Sequence, residues 1–387
     1  MLPSSGPPPL ADARADALAG PNANCAFALS LFQPKFQRDA RRAAARRGRD
    51  PDNALAHGPM RRRQCLRLAA AGMLAATARL VLPRLASAAD LPRLVVGYGA
   101  GGGADHIARL VADSLAADGY PVLVENRPGA AGLLALQAVL RAPAGRPMLL
   151  LGTVGSVSIA PLLSQQAAGA ERLHPVAVIA STPHVLLTSG AAPAGVAPVA
   201  ELHAWLEHAR QQPGQLAFAS LGIHSSAHLV GELMCRQAGA DMAHIPYPGS
   251  ARALTDLQGG HIAMLVSTLQ AALPLLRQGR VRALAVTGER RSPLAPSTPT
   301  FAEAGIGGMV QSAWYGLLAA PGMPRSHYAD LAERLQRLLQ GQPALRQRLR
   351  QDGAEPLALS GAAAAAYLAA QREMWREVIG QVRSRLG

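Results

Sequence analysis

Cysteine is scarce in this chain: three residues in 387, with Cys25 and Cys65 both before residue 89, which leaves Cys235 alone beyond it. A disulfide-stapled scaffold is thereby excluded for the rest of the chain, and Cys235 is expected as a small buried apolar residue. Aromatic residues amount to 4%, too few for the stacking platform that single-stranded nucleic acid requires. The formal charge of +14 is lopsided: residues 1–88 hold 14 Lys+Arg against 5 Asp+Glu, and the remainder holds 24 against 19. The excess beyond residue 88 is all arginine and thinly spread, so no nucleic-acid partner is expected. Nor is there a clean apolar run of 18 residues past residue 88, which argues against a membrane span there. The sequence contains no G-x-S-x-G, no H-E-x-x-H and no paired C-x-x-C, so the usual serine-nucleophile and zinc signatures are missing.

Residues 1–59 are rich in Pro, Ala and Arg without sustained periodicity, and read as a disordered or untranslated extension. The character changes at Met60. Arg61-Arg62-Arg63 opens a basic stretch, a weakly apolar run follows from Leu68 to Leu82, and Ala86-Ser87-Ala88 forms a small-residue cleavage motif. Residues 60–88 are thus expected to be an export signal. Arg62-Arg63-x-x-Leu66-Arg67 resembles the twin-arginine type, which tolerates Arg79 and Arg84 in the apolar run. Cys65 lacks the small apolar residues that precede a lipid-modified cysteine. The expected location is periplasmic, without a membrane anchor.

From residue 94 onward, short apolar strands alternate with amphipathic helices. Ile107, Leu110, Val111 and Leu115 mark the first helix, and Asn126-Arg127-Pro128-Gly129 a turn before the second. This β-α-β-α-β order predicts an α/β fold with a parallel sheet and ligand loops at the carboxyl ends of its strands. A long apolar strand near 176–188 is expected to cross to a second lobe, where the same alternation resumes, and a strand near 313–318 to return. The boundaries read as lobe 1 at 89–188 and 312–387, and lobe 2 at 189–311.

The most informative segment is Gly97-Tyr98-Gly99-Ala100-Gly101-Gly102-Gly103-Ala104-Asp105, a strand running through glycines into a helix. Such a loop brings backbone N–H groups and a helix N-terminus onto an anion. Two anions fit. Gly99-x-Gly101-x-x-Ala104, with Glu125 at the end of the next strand, matches a dinucleotide fingerprint, which would make the protein an exported NAD(P)-dependent oxidoreductase. Against that, Glu125 runs into a structured turn and no acid–base pair for hydride transfer is evident. His224, His228, Cys235 and His244 lie near one another in sequence but lack a metal-ligand spacing; Ser225 and Ser226 read instead as the cap of a helix with His228 in its first turn. No metal and no cofactor is expected. What remains is four loops rich in N–H groups and small hydroxyls at strand ends, a clamp for a small polar anion. The candidate ligand-binding residues are Gly101, Gly102, Gly103, Ala104 and Asp105; Thr153, Gly155 and Ser156; Ser220, Gly222, Ser225 and Ser226; and Tyr247 and Gly249.

With these motifs together, the chain resembles the Bug solute-receptor family of tripartite tricarboxylate transporters over about residues 89–385. The resemblance rests on Gly101-Gly102-Gly103-Ala104-Asp105, on Val124-Glu125-Asn126-Arg127-Pro128-Gly129-Ala130-Ala131-Gly132, and on Leu151-Gly152-Thr153. It also rests on the stretch from Ser220 to Leu229, on Pro246-Tyr247-Pro248-Gly249-Ser250, on Arg282-Ala283-Leu284-Ala285-Val286-Thr287, and on Trp314-Tyr315-Gly316-Leu317. It implies two Rossmann-like lobes joined by a hinge, the type II periplasmic binding-protein architecture. It further implies a non-enzymatic receptor that holds a small organic carboxylate and delivers it to integral-membrane permease subunits; a membrane sensor kinase is the other partner considered. The receptor is expected as a monomer. Gly97-Tyr98 stands where the family has Phe-Pro, and His224 where it has glycine, so His224 is expected to narrow the cleft or donate to the carboxylate.

Overall fold

The computed structural model describes residues 91–189 and 198–386; the extension at 1–59 and the export signal at 60–88 lie outside them. The described residues belong to one compact unit, Leu85–Gly387. Strand β1 (Arg93–Val96) is apolar and buried beyond Arg93. Helix α1 (Gly103–Ala117) buries Ile107, Val111 and Leu115, spaced four apart, with Ala108 beside them on the same face. Strand β2 (Leu123–Asn126) pairs parallel with β1, and helix α2 (Leu133–Leu140) leads to the wholly buried β3 (Met148–Thr153), parallel to β1 on its other side. The chain then takes a wide π turn, Val154–Ile159, into the short α3 (Ala160–Leu163).

Strand β4 (His174–Ser189) belongs to both sheets. Helix α4 (Pro198–Gln211), β5 (Ala217–Ser220), α5 (Ser226–Ala238), β6 (Ala243–Pro246), α6 (Ser250–Gln258), β7 (Met264–Thr268), α7 (Leu269–Arg277) and β8 (Val281–Val286) follow. The return comprises β9 (Ser312–Ala319), α8 (Arg325–Gly341), α9 (Pro343–Gln351), β10 (Glu355–Ser360) and α10 (Gly361–Val382). The first sheet runs β2-β1-β3-β9-β4-β10 and the second β6-β5-β7-β4-β8. Down to Pro183, β4 pairs with β9; from His184 it pairs with β7 and β8. Within the second sheet, β5 is parallel to β6 and β7, as β1 is to β2 and β3 in the first. Strands β1 and β3 run with β4, whereas β5 and β7 run against it, so the carboxyl ends of the two sets point toward each other where β4 changes sheets.

Packing ties the sheets together. One core cluster holds Phe218 of β5, Leu186 of β4, Trp314 of β9 and Trp375 of α10, all fully buried. Cys235 lies buried in that cluster as a free thiol, and burial pushes its pKa up to about 12, which leaves it unreactive. Strand β10 has no counterpart in the sequence reading. Pro356 lacks an N–H, Ala358 adopts a left-handed φ of 49°, and the register shifts between Pro356 and Leu359, so the alternation that signals a strand is broken. Among the described residues, no helix is long and apolar enough to cross a membrane.

Gly97 closes β1 against the turn before α2: a Cβ there would overlap the Gly132 backbone, which has no flexible end to give. Gly97→Ala is expected to lower unfolding stability by about 1–3 kcal/mol, read as an earlier urea midpoint with an unchanged slope.

Candidate functional site

At the strand ends, between the two sheets, lies a cavity of about 40 Å³. Its wall is assembled from helix starts. Gly103 and Ala104 open α1, Ser225 and Ser226 open α5, Ser250 opens α6, and Thr268 precedes α7. Thr153 and Val154 bring the π turn to the same wall, and Tyr98, Leu221, Ala313, Trp314 and Tyr315 complete it. None of the described residues lining it is Lys, Arg, His, Asp or Glu. The first amides of a helix have no intrahelical acceptor and carry partial positive charge. Four such termini, on helices of 15, 13, 9 and 9 residues, face one space.

Side chains cap some of these amides and leave others. Ser225 Oγ accepts the His228 N–H at 3.2 Å, and Thr268 Oγ1 accepts the Ala271 N–H at 3.4 Å. Thr153 and Ser156 form a reciprocal box, the Thr153 N–H donating to Ser156 Oγ at 3.1 Å. Helices α1 and α6 begin after Gly102 and Gly249 and have no side-chain cap. Instead the Gly103 N–H donates across the sheets to Ser250 Oγ at 3.1 Å.

Behind the wall stands a polar frame. The Asp105 carboxylate accepts from the Gly101 N–H at 2.9 Å, from Arg109 Nε at 2.9 Å and from Asn126 Nδ2 at 2.9 Å. Burial alone would raise its pKa, but these partners together hold it below the usual carboxylate value. Through these contacts it fixes the fold of the glycine loop. Glu125 is engaged likewise, by Arg93 at 3.1 Å and Arg127 at 2.6 Å, so no free acid stands ready for a ribose. Ser220 Oγ lies 2.7 Å from His244 Nε2, whose ring stacks on His228 with centroids 3.7 Å apart. Burial and the neighbouring His228 push His244 down to about 4. The Tyr98 hydroxyl donates to the Ala131 carbonyl at 3.2 Å, and burial keeps both Tyr98 and Tyr315 neutral phenols by raising their pKa values.

Of the residues expected from sequence, Gly103, Ala104, Thr153, Ser225 and Ser226 line this cavity. Gly101 and Gly102 border a neighbouring depression with His106, Arg277 and Arg348; Gly222 and Tyr247 border another, beside Tyr98 and Ala131. Asp105, Gly155, Ser156, Ser220 and Gly249 support the wall from behind. A Cβ on Gly155 would crowd the Ala131 carbonyl, and Gly249 holds a φ of 134°. His224, with a left-handed φ of 61°, gives its N–H to His228 Nδ1 at 3.1 Å and does not border the main cavity. Sequence reasoning missed Ser250, Thr268, Trp314 and Tyr315 as wall residues. Thr268 carried a readable signal: a threonine directly before an apolar helix is a cap, and caps here are where the cavity lies.

Parallel strands ending at helix N-termini, around a cavity between two sheets that share a strand, give the type II periplasmic binding-protein architecture. The chain matches the family model for the tripartite tricarboxylate transporter family receptor over residues 107–383, and it belongs to that family. It is 30% identical to the protein BugT of Bordetella pertussis over 329 residues, 82% of this chain and 98% of BugT. Among solved structures it resembles an R. palustris protein with adipate, at 31% identity and a TM-score of 0.69, covering 76% of this chain and 97% of that one. MatC from Rhodopseudomonas palustris with bound malate is similar at 29% identity and a TM-score of 0.67, covering 75% and 98%.

Asp105→Ala is expected to cost about 1–3 kcal/mol at neutral pH, since it strands the Gly101 amide and leaves Asn126 Nδ2 with the Tyr98 carbonyl alone. Because the folded pKa is lowered, this contribution is present above the unfolded value near about 4 and lost as pH falls through the folded one. The gap between wild type and variant in urea unfolding should therefore narrow at acid pH.

Proposed function

We propose that this protein is an exported receptor that binds a small organic carboxylate between two lobes and releases it chemically unchanged. The observation that carries this reading is the convergence of four helix N-termini on a cavity without a charged side chain. At about half a unit charge each, they supply about +2, enough to balance one or two carboxylates. A cationic ligand would be repelled. A neutral one would leave uncapped amides unpaired. The adipate and malate bound by the similar R. palustris proteins agree with an acid as cargo.

The lobes are residues 89–188 with 312–387, and residues 189–311, with β4 and β9 as the connections between them. Export through the signal at 60–88 would carry the receptor to the periplasm, and the family's name supports integral-membrane permease subunits as its partner. The lining residues offer no paired carboxylates for acid–base work. One Ser–His contact stands at the wall, Ser226 Oγ to His184 Nε2 at 2.9 Å. Burial pushes that histidine down to about 4, a weak base for activating a hydroxyl at neutral pH.

Thermal denaturation against a panel of small carboxylic acids tests this reading. At a hundredfold excess over Kd, a true ligand adds about 2.7 kcal/mol of stability and raises Tm accordingly; the matching primary amides should leave Tm where it was. A panel in which no carboxylate raises Tm, or purified protein carrying the absorbance of a nicotinamide cofactor, would overturn it.

A further inference from the structure

His184 sits at the point where β4 passes from one sheet to the other, fully buried, and its two ring nitrogens face different partners. Nδ1 lies 3.2 Å from the Gln311 carbonyl, which also accepts the Thr287 hydroxyl at 2.7 Å. A carbonyl oxygen only accepts, so Nδ1 must carry the proton. The neutral ring then has one acceptor left, Nε2, and it lies 2.9 Å from Ser226 Oγ. Burial keeps the ring from taking a second proton near neutrality. The hydrogen of Ser226 is therefore committed to His184. What this serine can present to the cavity it lines is an oxygen lone pair, an acceptor.

That sets Ser226 apart from Ser250 and Thr268; the Tyr98 hydroxyl, whose hydrogen goes to the Ala131 carbonyl, is committed likewise. Ser250 Oγ accepts the Gly103 N–H, which leaves its own hydrogen available for an anion, and Thr268 Oγ1 likewise accepts a backbone N–H. A carboxylate has only acceptor oxygens, so facing Ser226 it would set lone pair against lone pair. We propose that Ser226, held as a donor to His184, selects a carboxylic acid carrying a hydroxyl on a carbon next to the carboxylate, the hydroxyl donating to Ser226 Oγ. The inference rests on the carboxylate reading of the cavity. Four positive helix ends around the same space favour a neutral hydroxyl over an ammonium group as that donor. Ser226 is the residue that touches the ligand; His184 is a positioning residue that fixes which way the serine's hydrogen points.

Calorimetry with two matched pairs, lactate against propionate and malate against succinate, tests the proposal on the intact protein. In each pair that binds, the hydroxy acid should bind roughly tenfold tighter or more, the scale set by leaving a buried acceptor unpaired. Ser226→Ala should pull that ratio toward one. His184→Leu should do the same, because the freed serine hydrogen then serves a carboxylate as well as a hydroxyl does. Thermal unfolding of both variants reports folding separately, and a general loss of stability would not change a ratio. Equal or tighter binding of the deoxy acid, a ratio unmoved by Ser226→Ala, or a 2-amino acid outcompeting its hydroxy counterpart would each overturn the proposal. Failure of every acid in both pairs, and of the wider carboxylate panel, would instead remove the carboxylate reading beneath it.

Discussion

A helix cannot satisfy its own first amides, and in this protein four such sets of amides open on one cavity. Each of α1, α5, α6 and α7 begins at the end of a parallel strand or directly beside one, so the sheets deliver four sets of amide donors to one place. The rest of the structure follows from keeping them there. Asp105 ties the glycine loop, Ser225 and Thr268 satisfy the amides of His228 and Ala271, and Thr153 with Ser156 closes the π turn. A lysine or arginine in the wall would have supplied more charge, but at the cost of desolvating a second ion. Backbone dipoles supply the field with no side chain to order.

Strand β4 makes the arrangement possible. Of its 16 residues the first ten pair in one sheet and the last six in the other, the change of partner falling between Pro183 and His184. The same few residues thus set the spacing of the two sheets and carry the histidine that reaches Ser226. Core packing reinforces this, since Trp314 and Trp375 sit in the cluster that also holds Phe218 and Leu186 of the second sheet.

How much of this was legible beforehand depends on the range of the interaction. The α/β class was plain in the alternation of apolar strands with helices such as that of Ile107, Val111 and Leu115, because period and burial are local properties. The glycine loop was legible too, as was the capping role of Ser225. Strand β10 was not, because Pro356 and the bulge hide its pattern. Nor was the partition of the fourteen expected residues into wall and frame. Asp105 looks like a ligand contact in the sequence, yet its oxygens are taken by Gly101, Arg109 and Asn126. Ser250 and Thr268 join the wall only because residues 147 and 115 positions removed from Gly103 and Thr153 come beside them in space. Such distances leave no trace in a local pattern.

The hydrogen bond from Gly103 to Ser250 has a bearing on how this receptor parts with its cargo. A guest that takes the Gly103 amide must evict a hydroxyl already there, so the event is a swap of acceptors and not a new bond. On departure the serine returns and heals the gap at once, sparing the empty jaw an exposed donor. The net gain from that contact is therefore smaller than an amide without an acceptor of its own would give.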